Sequence, residues 1–144
     1  MSHVETGIPE MKLGGFEIKR VPSEDVFGGD GDKNHTVLYK RGVEAIMQDT
    51  ILEYREHKYL WDNAHGDVLI GGLGIGFVNQ KLLDNKKVTS VTIVEKYQEV
   101  IDLVWNHCPK DETFKLIHED IEKWEPHMKY NIGWFDTWLT DNEM

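Results

Sequence analysis

Four glycines within six positions interrupt one apolar run, and this stretch constrains the fold more than any other. The run is Val68-Leu69-Ile70, and the glycines are Gly71, Gly72, Gly74 and Gly76. A short, partly β-branched segment closed by glycine reads as a buried strand. The residues after the glycines, Phe77 to Leu83, read as a helix. Strand, glycine turn and helix together suit the sugar or phosphate end of a nucleotide-like ligand. Bare backbone lets the ligand approach, and a helix start offers N–H groups. A second strand, Val91-Thr92-Ile93-Val94, ends at Glu95, 23 residues after Gly72. An acid about 20 residues beyond such a turn is placed to accept from both ribose hydroxyls.

Further strands and helices alternate after this point. Tyr97 to His107 reads as a helix with Val100, Ile101, Val104 and Trp105 on one face. Phe114 to His118 reads as a third strand, followed by Glu119-Asp120 and one helical turn over Ile121 to Trp124. Tyr130 to Phe135 reads as a fourth, followed by Asp136. This order implies a parallel sheet with right-handed crossovers, whose ligands sit at the carboxyl ends of the strands. Gly72, Glu95, Asp120 and Asp136 all fall at such ends.

The N-terminal third is less patterned. Residues 1–13 read as a loose arm, and Phe16, Ile18 and Val21 as one strand. Thr36 to Lys40 and Val43 to Met47 read as a hairpin turning at Arg41-Gly42. Asp49 or Thr50 is placed to cap a helix from Ile51 to Trp61, with Ile51, Leu52, Tyr54, Tyr59 and Leu60 available for burial. The run Asp30-x-Asp32-x-Asn34 imitates a calcium loop but has His35 where glycine is needed and Arg41 where glutamate is needed, so it reads as a polar turn. The expected organisation is an arm and hairpin region over 1–50 and a Rossmann-like α/β unit over 51–144.

At this point the chain resembles the class I S-adenosylmethionine-dependent methyltransferase superfamily, and within it spermidine synthase-like proteins. The likeness runs from residue 36 to 138. It rests on Leu38-Tyr39-Lys40-Arg41-Gly42-Val43, Tyr54-Arg55-Glu56, the glycine turn, Val91 to Glu95, His118-Glu119-Asp120 and Trp134-Phe135-Asp136-Thr137. A weaker likeness to guanidinoacetate methyltransferase-like enzymes lies in Phe135 to Trp138. The resemblance implies a shortened class I methyltransferase fold that ends after its fourth strand. It implies S-adenosylmethionine, or its decarboxylated form, as cofactor. Gly71, Gly72, Gly74 and Gly76 would form the cofactor turn, with Gly72 and Gly74 under the methionine part. Glu95 would hold the ribose, Asp120 and the Ile121 N–H the adenine, and Asp136 would face the sulfonium and the nucleophile. Leu139 stands where spermidine synthases have a second aspartate, Ala45 where they have glutamine, and Arg55 where they have histidine. Methyl transfer to a small acceptor, an amine among the candidates, is therefore expected ahead of aminopropyl transfer. A non-catalytic nucleoside-binding or association module is the alternative of another class.

Bulk properties narrow the partners. A net charge of -10 disfavours nucleic acid and anionic membranes. The single cysteine, Cys108, allows no internal disulfide, which suggests a cytoplasmic setting. Its place after a helix C-terminus disfavours a thiolate nucleophile. The histidines show no metal-ligand spacing, and Trp134 and Trp138 read as core before pocket aromatics. An unpaired parallel edge is costly in water, so a homodimer across that edge is the favoured outcome.

Overall fold

The structure is a computed structural model that describes residues 8–22, 24, 34–40, 45–48 and 51–135. The C-terminal part is an α/β sheet. It has four parallel strands: β5 (Gly66–Gly71), β6 (Val88–Glu95), β7 (Phe114–His118) and β8 (Ile132–Phe135). Their spatial order is β7-β6-β5-β8, so the glycine-ended strand and the Glu95-ended strand are the central pair. Val68, Ile70, Val91 and Ile93 face the common core, where they are almost fully buried. Each such side chain contributes about 1.5–3 kcal/mol by leaving water.

Ahead of it lies a four-stranded antiparallel sheet of β1 (Met11–Leu13), β2 (Phe16–Pro22), β3 (Asn34–Lys40) and β4 (Ala45–Gln48), in that order. The pairing of Leu38 with Met47 and Tyr39 with Ala45 forms the expected hairpin, with a register shift between them. Its turn at Arg41-Gly42 lies outside the described residues, as do the acidic run at 30–32, Asp49 and Thr50. The loose arm expected over 1–13 needs correction. Ile8 is fully buried, and Met11–Leu13 pairs with β2 through the Gly14-Gly15 turn. The Arg20 guanidinium donates to the Ile8 carbonyl, and the Arg20 N–H to Glu10 at 3.1 Å.

Among the described residues three helices pack on these sheets: α1 (Ile51–Asn63), α2 (Asn79–Leu83) and α3 (Gln98–Val104), the last continued by a 3-10 turn at Trp105–His107. Helix α1 packs on β8, α2 on β6, and α3 on β6 as well as on β1 and β2. Helix α3 thus lies between the two sheets, with Val100, Leu103 and Val104 buried. Phe16, Ile18 and Leu38 join Ile70, Ile93 and Leu103 in one core. Leu60 of α1 is buried as expected, but Tyr59 is 68% exposed. Helix α2 starts at Asn79 rather than Phe77, because residues 73–79 first make two tight turns. Gly76 N–H donates to Leu73 O at 2.9 Å, and Asn79 N–H to Gly76 O at 3.1 Å. No described helix is long and apolar enough to cross a membrane.

Candidate functional site at the carboxyl rim of the parallel sheet

The rim is built outward from β5. Gly72, Gly74 and Gly76 take φ values of 106°, 56° and 69°, where a side chain is strained. At Gly76 the space is closed too: an added Cβ would lie 2.6 Å from Cβ of Cys108. The turn is anchored to β6 by Gly72 N–H, which donates to Val94 O at 2.8 Å.

Glu95 ends β6 beside this turn and is 6% exposed. Its Oε1 accepts from Leu73 N–H at 2.8 Å, and its Oε2 from Tyr97 N–H at 2.9 Å. Burial pushes its pKa above the ordinary value, against the opposing pull of backbone N–H groups from Tyr97, Leu73, Lys96 and Gly74. The carboxylate is therefore held by backbone N–H groups of the glycine turn on one side and of the residues after β6 on the other.

The next strand end is adjacent. Glu119 N–H donates to Glu95 O at 3.0 Å, carrying the chain from β7 back over the rim. Asp120 closes the single turn that follows, its carbonyl accepting from the N–H groups of Lys123 and Trp124 at 2.9 Å each. Its carboxylate accepts from Glu122 N–H at 3.0 Å and lies 3.9 Å from Nζ of Lys96. Ile121 leans toward β5: a Cβ on Gly71 would sit 3.3 Å from its Cγ1.

Gly71 also faces Phe135, its register partner on β8. The Phe135 ring folds back over Gly71 and Gly133, 2.6 Å and 3.5 Å from where their Cβ atoms would stand. It is 58% exposed. The space over Gly71 is thus taken by the Phe135 ring and by Ile121, while Phe135 keeps its other side open to solvent. Gly71, Gly72, Glu95, Asp120 and Ile121 lie along one edge of one sheet, joined by direct contacts, with Gly74 and Gly76 in the turn above them. Asp136, Thr137 and Trp138 lie outside the described residues.

Trp134 points the other way, onto the core, with its ring 5.3 Å from that of His57. The core role is the one the structure gives it. Two participants have no signature in the sequence. Tyr97 reads there as the start of a helix, yet its extended backbone (φ -102°, ψ 118°) turns its N–H onto Glu95. Phe135 reads as a strand residue and as part of the Trp134-Phe135-Asp136-Thr137 likeness, not as the cover of Gly71; an aromatic two places from Gly133 and opposite Gly71 is the available clue. Cys108 is buried and its thiol is pushed up to about 11 by burial. No protein-family model matches the chain, and no curated protein is significantly similar to it.

Proposed function

We propose that the chain is an S-adenosylmethionine-dependent transferase, of class I methyltransferase type, that moves a methyl group to a small acceptor. One observation carries this reading: the glycine turn, a buried carboxylate and the Asp120-Ile121 turn share one rim on adjacent strand ends. The strand order, with the glycine strand and the acid strand at the centre, suits it.

In this reading the bare turn from Gly71 to Gly76 takes the amino-acid part of the cofactor. Glu95 holds the ribose diol. Asp120 and the Ile121 N–H take the edge of the adenine, and the Phe135 ring excludes water from one side. The bound sulfonium supplies an electrophilic methyl carbon. Asp136, which follows Phe135 in the sequence, is assigned to orient the acceptor and to receive its proton. A homodimer paired along β8, an edge strand among the described residues, and a cytoplasmic setting belong to the same reading.

Thermal-shift titration tests it. S-adenosylmethionine or S-adenosylhomocysteine at one hundred times its dissociation constant stabilises by about 2.7 kcal/mol. Glu95→Ala is expected to abolish that shift. A response only to the decarboxylated cofactor assigns aminopropyl transfer, and a response only to NAD assigns a dehydrogenase. Silence toward all of them removes the transferase reading in favour of an association module.

A further inference from the structure

The two faces of the parallel sheet are unlike near β8. Side chains alternate along a strand, so Val68, Ile70, Ile132 and Trp134 share the face turned to the core. Leu69, Gly71, Gly133 and Phe135 share the other, where the register sets Leu69 beside Gly133 and Gly71 beside Phe135. Two of these four positions carry no side chain. They leave a bare patch on adjacent strands, next to the carboxyl rim.

One ring lies over that patch. Cδ1 of Phe135 is 2.6 Å from the point a Cβ on Gly71 would take, and its Cε2 is 3.5 Å from the matching point on Gly133. Opposite corners of the ring thus rest on the two glycines. Cγ1 of Ile121 reaches the same point over Gly71, at 3.3 Å, so Ile121 and the ring are neighbours. The contacts hold the ring from one side only, and Phe135 remains 58% exposed. Among the described residues no other ring meets it.

Polar groups of opposite kind follow from the same turn. The Ile121 N–H has no acceptor among the described residues. The Asp120 carboxylate accepts from Glu122 N–H at 3.0 Å and lies 3.9 Å from Nζ of Lys96. An open aromatic surface, a backbone donor and a carboxylate acceptor on consecutive residues match one kind of partner. That partner is a flat, nitrogen-bearing ring, which stacks while its edge accepts one hydrogen bond and donates another. An aliphatic chain offers nothing to stack, and a plain phenyl ring offers no polar edge.

We propose that Phe135 is the stacking platform for the base of a nucleoside, an amino-purine whose edge meets Asp120 and Ile121. It is thereby a specificity-determining residue of the rim. The step from base to methyl donor rests on the transferase reading; the stacking itself requires only the base.

The test uses the full chain, labelled with ¹³C and ¹⁵N, and titrates adenosine and inosine. Adenosine is expected to give saturable shifts at Gly71, Ile121 and Gly133, and nuclear Overhauser contacts between its base protons and the Phe135 ring. Phe135→Leu should weaken adenosine about tenfold and Phe135→Tyr should hold it within about threefold, as loss and retention of one base–aromatic stack imply. Inosine, which lacks the amino group, should bind more weakly than adenosine, and Asp120→Asn should abolish that preference. Should Phe135→Leu not fold, Phe135→Tyr and the contacts seen in the native chain decide. The proposal is overturned by absence of adenosine shifts, by bound adenosine with no contact to the Phe135 ring, or by equal binding of inosine. It is also overturned if Phe135→Leu loses stability in urea yet binds adenosine as the native chain does, for the ring then serves the sheet alone. S-adenosylhomocysteine keeps the two readings apart. If adenosine stacks on Phe135 and S-adenosylhomocysteine binds no tighter, the platform stands and the methyl donor falls. If S-adenosylhomocysteine binds regardless of Phe135, the reverse holds.

Discussion

Glu95 and Asp120 stand on neighbouring strand ends, yet they are held in opposite ways. Glu95 is buried and both of its oxygens accept backbone N–H groups from within the fold. Asp120 is partly exposed, its carboxylate held by one backbone donor and by the Lys96 ammonium at 3.9 Å. The first is part of the framework whether or not a ligand is present. The second contributes little to the framework and is free to be spent on recognition. A rim of this kind has one side preformed and one side that a ligand completes.

Removing each acid should expose that difference most sharply. Glu95→Ala leaves the Leu73 and Tyr97 N–H groups unpaired in a buried place, at about 1–3 kcal/mol each. We expect a net loss of about 2–4 kcal/mol in urea unfolding of the free protein. Asp120→Ala should cost only about 0.5–1 kcal/mol, the worth of one capping contact. Equal losses would erase the distinction.

Gly76→Ala probes the preformed side without touching a charge. It forces an added Cβ against Cys108 at 2.6 Å in a left-handed backbone, and overpacking plus strain should cost about 2–3 kcal/mol. Gly71→Ala meets the exposed, movable Phe135 ring at 2.6 Å and the Ile121 side chain at 3.3 Å, neither of them backbone, so it should cost less, about 1 kcal/mol, while displacing the ring. Differential scanning calorimetry of the two variants ranks them.

The pH dependence is a smaller effect with a definite sign. The folded pKa of Glu95 is raised from 4.5, so the folded state holds this proton more tightly than the unfolded chain. Its contribution is fully present below 4.5 and is lost as pH rises through the folded pKa. Unfolding free energies from pH 4 upward, compared with those of Glu95→Gln, should show that decline only in the chain that keeps the acid. The smallest expected effect is far from both acids. The exposed Lys58–Asp62 pair on α1 should change stability by no more than about 0.5 kcal/mol on Lys58→Ala.

What the residues disclosed before the structure follows the same division. β5 to β8 were legible because buried parallel strands need apolar runs, and Phe114 to His118 appeared with both ends correct. The spacing from Gly72 to Glu95 found the acid but not its N–H partners, which depend on where the Leu73 and Tyr97 backbone turns. Helix α2 was set two residues early because tight turns and a first helical turn share composition. β1 was missed because its three residues are all exposed and owe their conformation to the Gly14-Gly15 turn and to β2. The place of the Phe135 ring over Gly71 escaped notice because it depends on a neighbour on another strand.

Tyr97 has one further consequence. Its amide steadies the carboxylate of one sheet while its ring carries the lysine of the other. A residue with two such duties is a fulcrum: tilting it at either end must be felt at the opposite one. A shift at Lys40 and a shift at the glycine turn are therefore coupled through a single residue, with no hinge or moving domain required.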